Sequence, residues 1–311
     1  MMKLISIVTA CFNEEESVEK LYESVKEVML KKLDDYKYEH IFIDNASTDK
    51  TVNILKQIAQ KDKNVKLIIN SRNYGHLRSP VHGMFQASGD AIILIVADLQ
   101  DPPEMIPQFI EKWEESNDIV LAIKESSEEG RAMFSIRTLY YKTLSRLSEI
   151  EIFQNFTGFG LYDKKVMDAI KQLNDPYPFF RGMVAEVGFK VSKINYSQPV
   201  RQHGITKNNF YSLYDTAMLG IISHSKIPLR LAIFIGFIFG ALSLIIGLVY
   251  FFSKLLYWDT MTLGFAPLII MSSFMFSIML FFIGIVGEYI GAIYTQALDR
   301  PLVFEKERVN F

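Results

Sequence analysis

Two stretches without a single charge constrain this chain more than any other feature. Residues 231–252 read LAIFIGFIFGALSLIIGLVYFF, 22 in a row, and residues 260–287 add 28 more, including PLIIMSSFMFSIMLFFIGIVG. A helix needs about 20 apolar residues to cross a bilayer, so each stretch suffices for one crossing. The competing reading, a pair of buried core helices, fits that length less well. The expected spans are 231–252 and 266–287, inside a membrane segment of 229–294.

The flanks orient the pair. Lys226 and Arg230 precede the first span, and Arg300, Lys306 and Arg308 follow the second. The connection 253–259 holds only Lys254, offset by Asp259. Positive flanks stay cytoplasmic, so the large amino-terminal part and the tail, 295–311, are expected on the cytoplasmic side. The opening MMKLISIVTACFNEEE turns acidic at once and does not read as a cleaved signal. A lone cysteine, Cys11, excludes an internal disulfide and fits a reducing compartment. A net charge of −2 gives no overall reason to expect a nucleic-acid partner.

The first 125 residues alternate short β-branched runs (LISIVTA, EHIFID, KLIIN, AIILIVAD, DIVLAI) with helical spacing. Val18, Leu21, Val25 and Val28 make one apolar stripe, with Asn13 read as its cap and Glu14–Glu16 as its acidic first turn. Asp101 before Pro102 and Pro103 reads as a second helix start, the carboxylate capping. Such alternation predicts a mostly parallel α/β sheet covered on both faces. Ligands then sit beyond the carboxyl ends of the strands, where Asn13 and Glu14, Asp44 and Asn45, Arg72 and Asn73, Asp98 and Gln100, and Lys124 accumulate. This favours a nucleotide or diphosphate site. No G-x-G-x-x-G or Walker-type glycine loop occurs.

With these strand ends in hand, the chain resembles the family 2 glycosyltransferases of GT-A fold. More narrowly it resembles the polyprenyl-phosphate group, which includes dolichyl-phosphate mannose synthases and bacterial undecaprenyl-phosphate glucosyltransferases. FNEEESVEKLYE, IDNASTDKT, SRNYG, ADLQDPPEMIPQFIEKWEE, VRQHGITK and GEYIGAIYTQALDRP follow that group's elements in order. The resemblance implies a Rossmann-like GT-A domain over 1–205, an interfacial helix over 206–228 and the two-helix anchor, in a bacterial inner membrane. It implies a nucleotide-sugar donor, with uridine the expected base, and a polyprenyl phosphate acceptor among membrane lipids. Glu14, Asp44, Asn45, Arg72 and Lys124 would bind the donor, Asp98 and Gln100 a Mg²⁺ or Mn²⁺ ion. Arg201 and Lys207 would serve catalysis and, with Arg131 and Ser135, hold the lipid phosphate.

Three stretches depart from the family. Val96 replaces the first carboxylate of the usual D-x-D, leaving Asp98, Gln100 and the donor phosphates to hold a cation. QNFTGFGLYDKKV, 154–166, lacks an acidic or hydroxyl residue and an arginine that relatives carry. GHLRSPVHGM brings His76, Arg78 and His82, read either as a changed donor pocket or as structural residues. A phosphate acceptor with a second pKa near 6 is already ionised at neutral pH and needs no general base, and no late Q-x-x-R-W argues for polymerisation. Two readings remain beside lipid-phosphate transfer: a transferase to a glycolipid hydroxyl, and a silent nucleotide-sugar-binding scaffold. Gly236, Gly240, Gly284 and Gly287 would permit close helix contact, either between protomers of a homo-oligomer or within the hairpin.

Overall fold

The computed structural model describes residues 2–125, 153–199, 215, 218–223, 225–257 and 265–311. The strands are β1 (Leu4–Cys11), β2 (Lys37–Asp44), β3 (Val65–Asn70), β4 (Ala91–Val96), β5 (Ile119–Lys124), β6 (Phe156–Asp163), β7 (Val191–Tyr196) and β8 (Glu305–Val309). The helices are α1 (Val18–Lys32), α2 (Thr51–Lys61), α3 (Gly75–Phe85), α4 (Ile106–Glu114), α5 (Lys164–Gln172), α6 (Phe180–Glu186), α7 (Ile227–Leu256) and α8 (Phe265–Ala297). All five strands expected from the β-branched runs form.

They join one sheet of order β7-β5-β6-β4-β1-β2-β3-β8. β1 to β4 are mutually parallel, β5 and β7 share their direction, and β6 and β8 run against them. The apolar runs are continuous because both faces are covered. On one face α1 and α4 bring Leu21, Val25, Ile106 and Phe109 onto Ile5, Ile7 and Ile93, and α2 adds Leu55 and Ile58 over Phe42 and Leu67. On the other, α3, α5 and α6 bring Val81, Met84, Val166, Ile170 and Met183. The α1 stripe lies on this core as its spacing predicts. Fully burying one such side chain is worth roughly 1.5–3 kcal/mol.

The divergent stretch 154–166 is largely β6, a central strand between β4 and β5. Its glycines have a packing reason: a Cβ on Gly160 would stand 2.4 Å from the Val120 carbonyl oxygen. A side chain there would push two paired backbones apart.

Helices α7 and α8 hold 30 and 33 residues, and each contains a window long and apolar enough to span a membrane. Their side chains face outward: Ile233, Phe237, Leu244, Ile270 and Phe281 are all exposed. In water such a surface is unstable; against lipid it is the ordinary exterior of a helix whose backbone bonds are satisfied internally. The two helices touch through Phe239 and Phe274, ring centroids 6.0 Å apart. A Cβ on Gly236, Gly240, Gly284 or Gly287 would meet nothing within 4 Å, so packing within this hairpin does not require them.

The carboxyl-terminal stretch is more than a tail. After α8 the chain returns to the sheet, and β8 pairs antiparallel with β3, Leu67 opposite Val309 and Ile68 opposite Arg308. Asn310 Nδ2 donates to the Ala59 and Val65 carbonyls at 2.7 and 2.8 Å, and Lys56 pairs with Glu307 at 2.6 Å. The sheet is therefore closed by residues from the far side of the hairpin.

Candidate active site

Because six strands share one direction, Cys11, Asp44, Asn70, Val96 and Lys124 end on one rim. The loops after β1 and β2 hold each other. Asn13, with φ of 57°, accepts from the Thr48 N–H at 2.8 Å, and its own N–H donates to Ser47 Oγ at 2.9 Å. The Glu14 N–H donates to Thr51 Oγ1 at 2.9 Å, and Glu15 Oε2 accepts from the Lys50 N–H at 2.9 Å. Asn13 is thus not the cap of α1. The cap position is Ser17, without a side-chain cap bond, and the polar residues before it are spent on the neighbouring loop. The Glu14 carboxylate accepts from Ser17 Oγ at 2.9 Å.

Asp44 is completely buried. Its Oδ2 accepts from the Ser47 N–H at 2.9 Å, while Oδ1 has no partner among the described residues. Burial raises its carboxyl above the ordinary range, with hydrogen bonds from Ser47 opposing. A buried acceptor without a donor costs about 1–3 kcal/mol, so this oxygen is suited to an N–H from outside the chain.

Asn45 departs from its expected role. Its Nδ2 donates to Asn73 Oδ1 at 2.8 Å and the Gly75 carbonyl at 3.1 Å. Its Oδ1 accepts from Asn70 Nδ2 at 3.2 Å and the Tyr74 N–H at 2.9 Å. Both donors and both lone pairs are taken, which leaves no acceptor for a base. Asn45 instead staples the end of β2 to the loop after β3. On that loop the exposed Arg72 lays its guanidinium over the Tyr74 ring, 4.0 Å from the centroid.

At the end of β4 the turn is tight: Leu99 has φ of 62°, and Asp98 Oδ1 accepts from the Gln100 N–H at 3.1 Å. Val96, where a first carboxylate would stand, is 41% exposed. Asp101 is not a helix cap. It is buried, accepts from the Val96 N–H at 3.2 Å and the Tyr196 hydroxyl at 3.3 Å, and burial pushes it up to about 7. Its carboxyl pins the turn to β4 and β7; a 3-10 turn, Pro103–Met105, leads into α4. Lys124 donates to Gln198 Oε1 at 2.6 Å, joining β5 to the end of β7.

Among the described residues no three His, Cys, Asp or Glu side chains converge as a metal site. Asp98 and Gln100 offer one carboxylate and one amide oxygen on one turn, a set of hard oxygen donors that fits Mg²⁺ or Mn²⁺ once phosphate oxygens complete it. Arg131, Ser135, Arg201 and Lys207 lie outside the described residues. Arg78 and His82 belong to the carboxyl-terminal segment rather than to the rim: Arg78 Nη2 donates to the Pro301 carbonyl at 2.6 Å, and His82 Nε2 meets Glu305 Oε1 at 2.6 Å. Sequence reasoning missed Tyr196 and the carboxyl-terminal partners, which no local pattern marks.

Residues 6–171 match the family model described as Glycosyl transferase family 2. The chain is 37% identical over 299 residues to an uncharacterized glycosyltransferase, YkcC, of Bacillus subtilis (strain 168), covering 96% of this chain and 91% of that one. It is 35% identical over 298 residues to the SfII prophage-derived bactoprenol glucosyl transferase of Shigella flexneri, covering 96% of each. A prophage bactoprenol glucosyl transferase homolog of Escherichia coli (strain K12) is 34% identical, with the same coverage.

Proposed function

The chain belongs to glycosyl transferase family 2, and on that premise we propose that it moves a sugar from a nucleotide-sugar to a polyprenyl phosphate at the cytoplasmic face of a bacterial inner membrane. One observation carries the reading: the likeness to bactoprenol glucosyl transferases spans 96% of this chain, apolar hairpin included. UDP-glucose is the first donor to test.

The reaction forms a bond from a phosphate oxygen of the lipid to the anomeric carbon and breaks that carbon's bond to the nucleotide diphosphate, with inversion. The acceptor is already anionic, so the protein's task is to hold two anions together and stabilise the leaving diphosphate. The unpartnered Asp44 oxygen takes a base N–H, with Glu14 at the nucleoside and Arg72 alongside. Asn45 acts by holding the loop that carries Arg72. Asp98 and Gln100 hold the divalent cation, and Lys124 stands by the phosphates as a point charge. When bound, the cation offsets charge on the departing diphosphate. Arg201, Lys207, Arg131 and Ser135 are assigned to the lipid phosphate from sequence.

The return of β8 to the sheet supports an even number of crossings, because β3 and β8 must share one side of the membrane. Residues 218–223 are helical just before α7, and Tyr289 on α8 donates to the Ser225 carbonyl at 2.7 Å. This supports an interfacial helix tied to the anchor.

The test is transfer in detergent: purified chain, undecaprenyl phosphate, Mg²⁺ or Mn²⁺, and labelled nucleotide-sugars. Label entering the lipid phase from one donor establishes the reaction and names the sugar. No transfer from any donor, with nucleotide still bound, overturns it in favour of a hydroxyl acceptor or a silent scaffold.

A further inference from the structure

We infer that residues 301–305, which follow the second apolar helix, position Arg72 for the nucleotide, acting through Tyr74. The inference rests on the reading of the rim as a nucleotide-sugar site.

The chain of contacts is continuous. Arg72 is exposed, and an unrestrained arginine loses rotamer entropy when it is fixed. Its guanidinium lies on the Tyr74 ring and its Nη1 donates to the Asn73 carbonyl at 3.1 Å, so its direction depends on how firmly that ring and its loop are set. Tyr74 is 8% exposed, and its hydroxyl meets Ser71 Oγ at 2.9 Å. The Phe304 carbonyl in turn accepts from the Ser71 N–H at 2.9 Å. Phe304 therefore holds Ser71 with its backbone, and Ser71 in turn holds the Tyr74 hydroxyl.

Two side-chain bonds from α3 hold that segment in place, Arg78 to Pro301 and His82 to Glu305. Glu305 is also paired with Arg308, which keeps its carboxylate below the usual range. The opposite side of the loop is fixed by Asn45. Without residues 301–305 the Ser71 N–H loses its acceptor, and the loop is held from one side only. The segment is continuous with α8, so the membrane helix and the loop that carries Arg72 form one connected piece.

The experiment is a double-mutant cycle on the full-length chain in detergent, with UDP and GDP as probes. Tyr74→Phe removes one hydroxyl and keeps the ring; Glu305→Ala loosens the segment; Arg72→Ala removes the guanidinium. Each single variant is expected to weaken binding of the preferred nucleotide about 5- to 10-fold. Donor KM should rise while kcat stays within about twofold. In the Arg72→Ala background the other two changes should cost almost nothing further, since the interaction they serve is gone. Full additivity, or unchanged affinity in Tyr74→Phe and Glu305→Ala variants that keep the wild-type thermal midpoint, overturns the inference. So does a wild-type chain that binds neither nucleotide. Binding needs no acceptor: coupling in the cycle with no label reaching lipid sustains the inference and sinks only the polyprenyl-phosphate reading.

Discussion

The two halves of the rim are built in opposite ways. After β2 and β3 most polar groups are committed: the Asn45 side chain alone makes four hydrogen bonds, and among the described residues the buried oxygens left over there are Asp44 Oδ1 and Asn70 Oδ1. After β4 and β5 the turn carries Asp98 beside an apolar, half-open Val96, while the second carboxylate of the stretch, Asp101, is turned inward. One half is organised before any ligand arrives. Among the described residues, the other half offers too few oxygens to hold a hard cation tightly until phosphates join it. Affinity for the nucleoside and demand for the metal should therefore respond to different mutations.

The largest effect is expected on the sparse half. Asp98→Ala removes the carboxylate offered to the cation and should cut transfer by roughly 100-fold or more, the loss of several kcal/mol of charge stabilisation, while metal-free UDP binding is kept. On the dense half, Asn45→Ala strips partners from Asn70, Asn73, Tyr74 and Gly75 and should lower stability by about 2–3 kcal/mol, read as the thermal midpoint in detergent. Asp44→Asn keeps an acceptor for Ser47 but replaces the unpartnered oxygen by a donor. It should weaken UDP about tenfold, near 1.4 kcal/mol, with little change in midpoint.

Val96→Asp would make the two halves more alike. The site is exposed, so folding should be unaffected, and the metal concentration for half-maximal activity should fall about tenfold; an unchanged metal requirement would mean that Val96 does not face the ion. The smallest effect lies beneath the rim, on β2, where burial holds His40 down to about 3 from its ordinary 6.5. Between those values the unfolded chain binds a proton that the folded one does not. Stability is then complete above pH 6.5 and falls as pH drops through that window. His40→Gln should flatten this acid limb and leave the midpoint near pH 8 almost as before, as a pH series of melts would show.

What was legible in sequence follows from how local each signal is. LISIVTA and AIILIVAD announce buried strands because both faces of a parallel sheet need apolar cover, and the uncharged stretches announce the hairpin by length alone. The reading of Asp101 as a cap failed because D-P-P is a genuine local helix-start pattern, overridden here by burial against Val96 and Tyr196. Asn13 failed likewise, its bonds going to the loop after β2. β8 was invisible: EKERV shows no apolar alternation, as suits a charged edge strand, and its partner lies far away in sequence. Asn45 reads from sequence as a donor-binding residue, and only the surrounding loop reveals that its amide is used within the chain.

The order in which a ribosome makes this protein gives the β3–β8 pairing a last consequence. β3 is synthesised well before β8, with both apolar helices between them. Until residues 305–309 have emerged, β3 is an open edge, able to pair with any strand it meets. The sheet can be completed only after both apolar helices have been made. A nascent chain arrested before residue 305 would carry nearly the whole rim and still lack the strand that seals it.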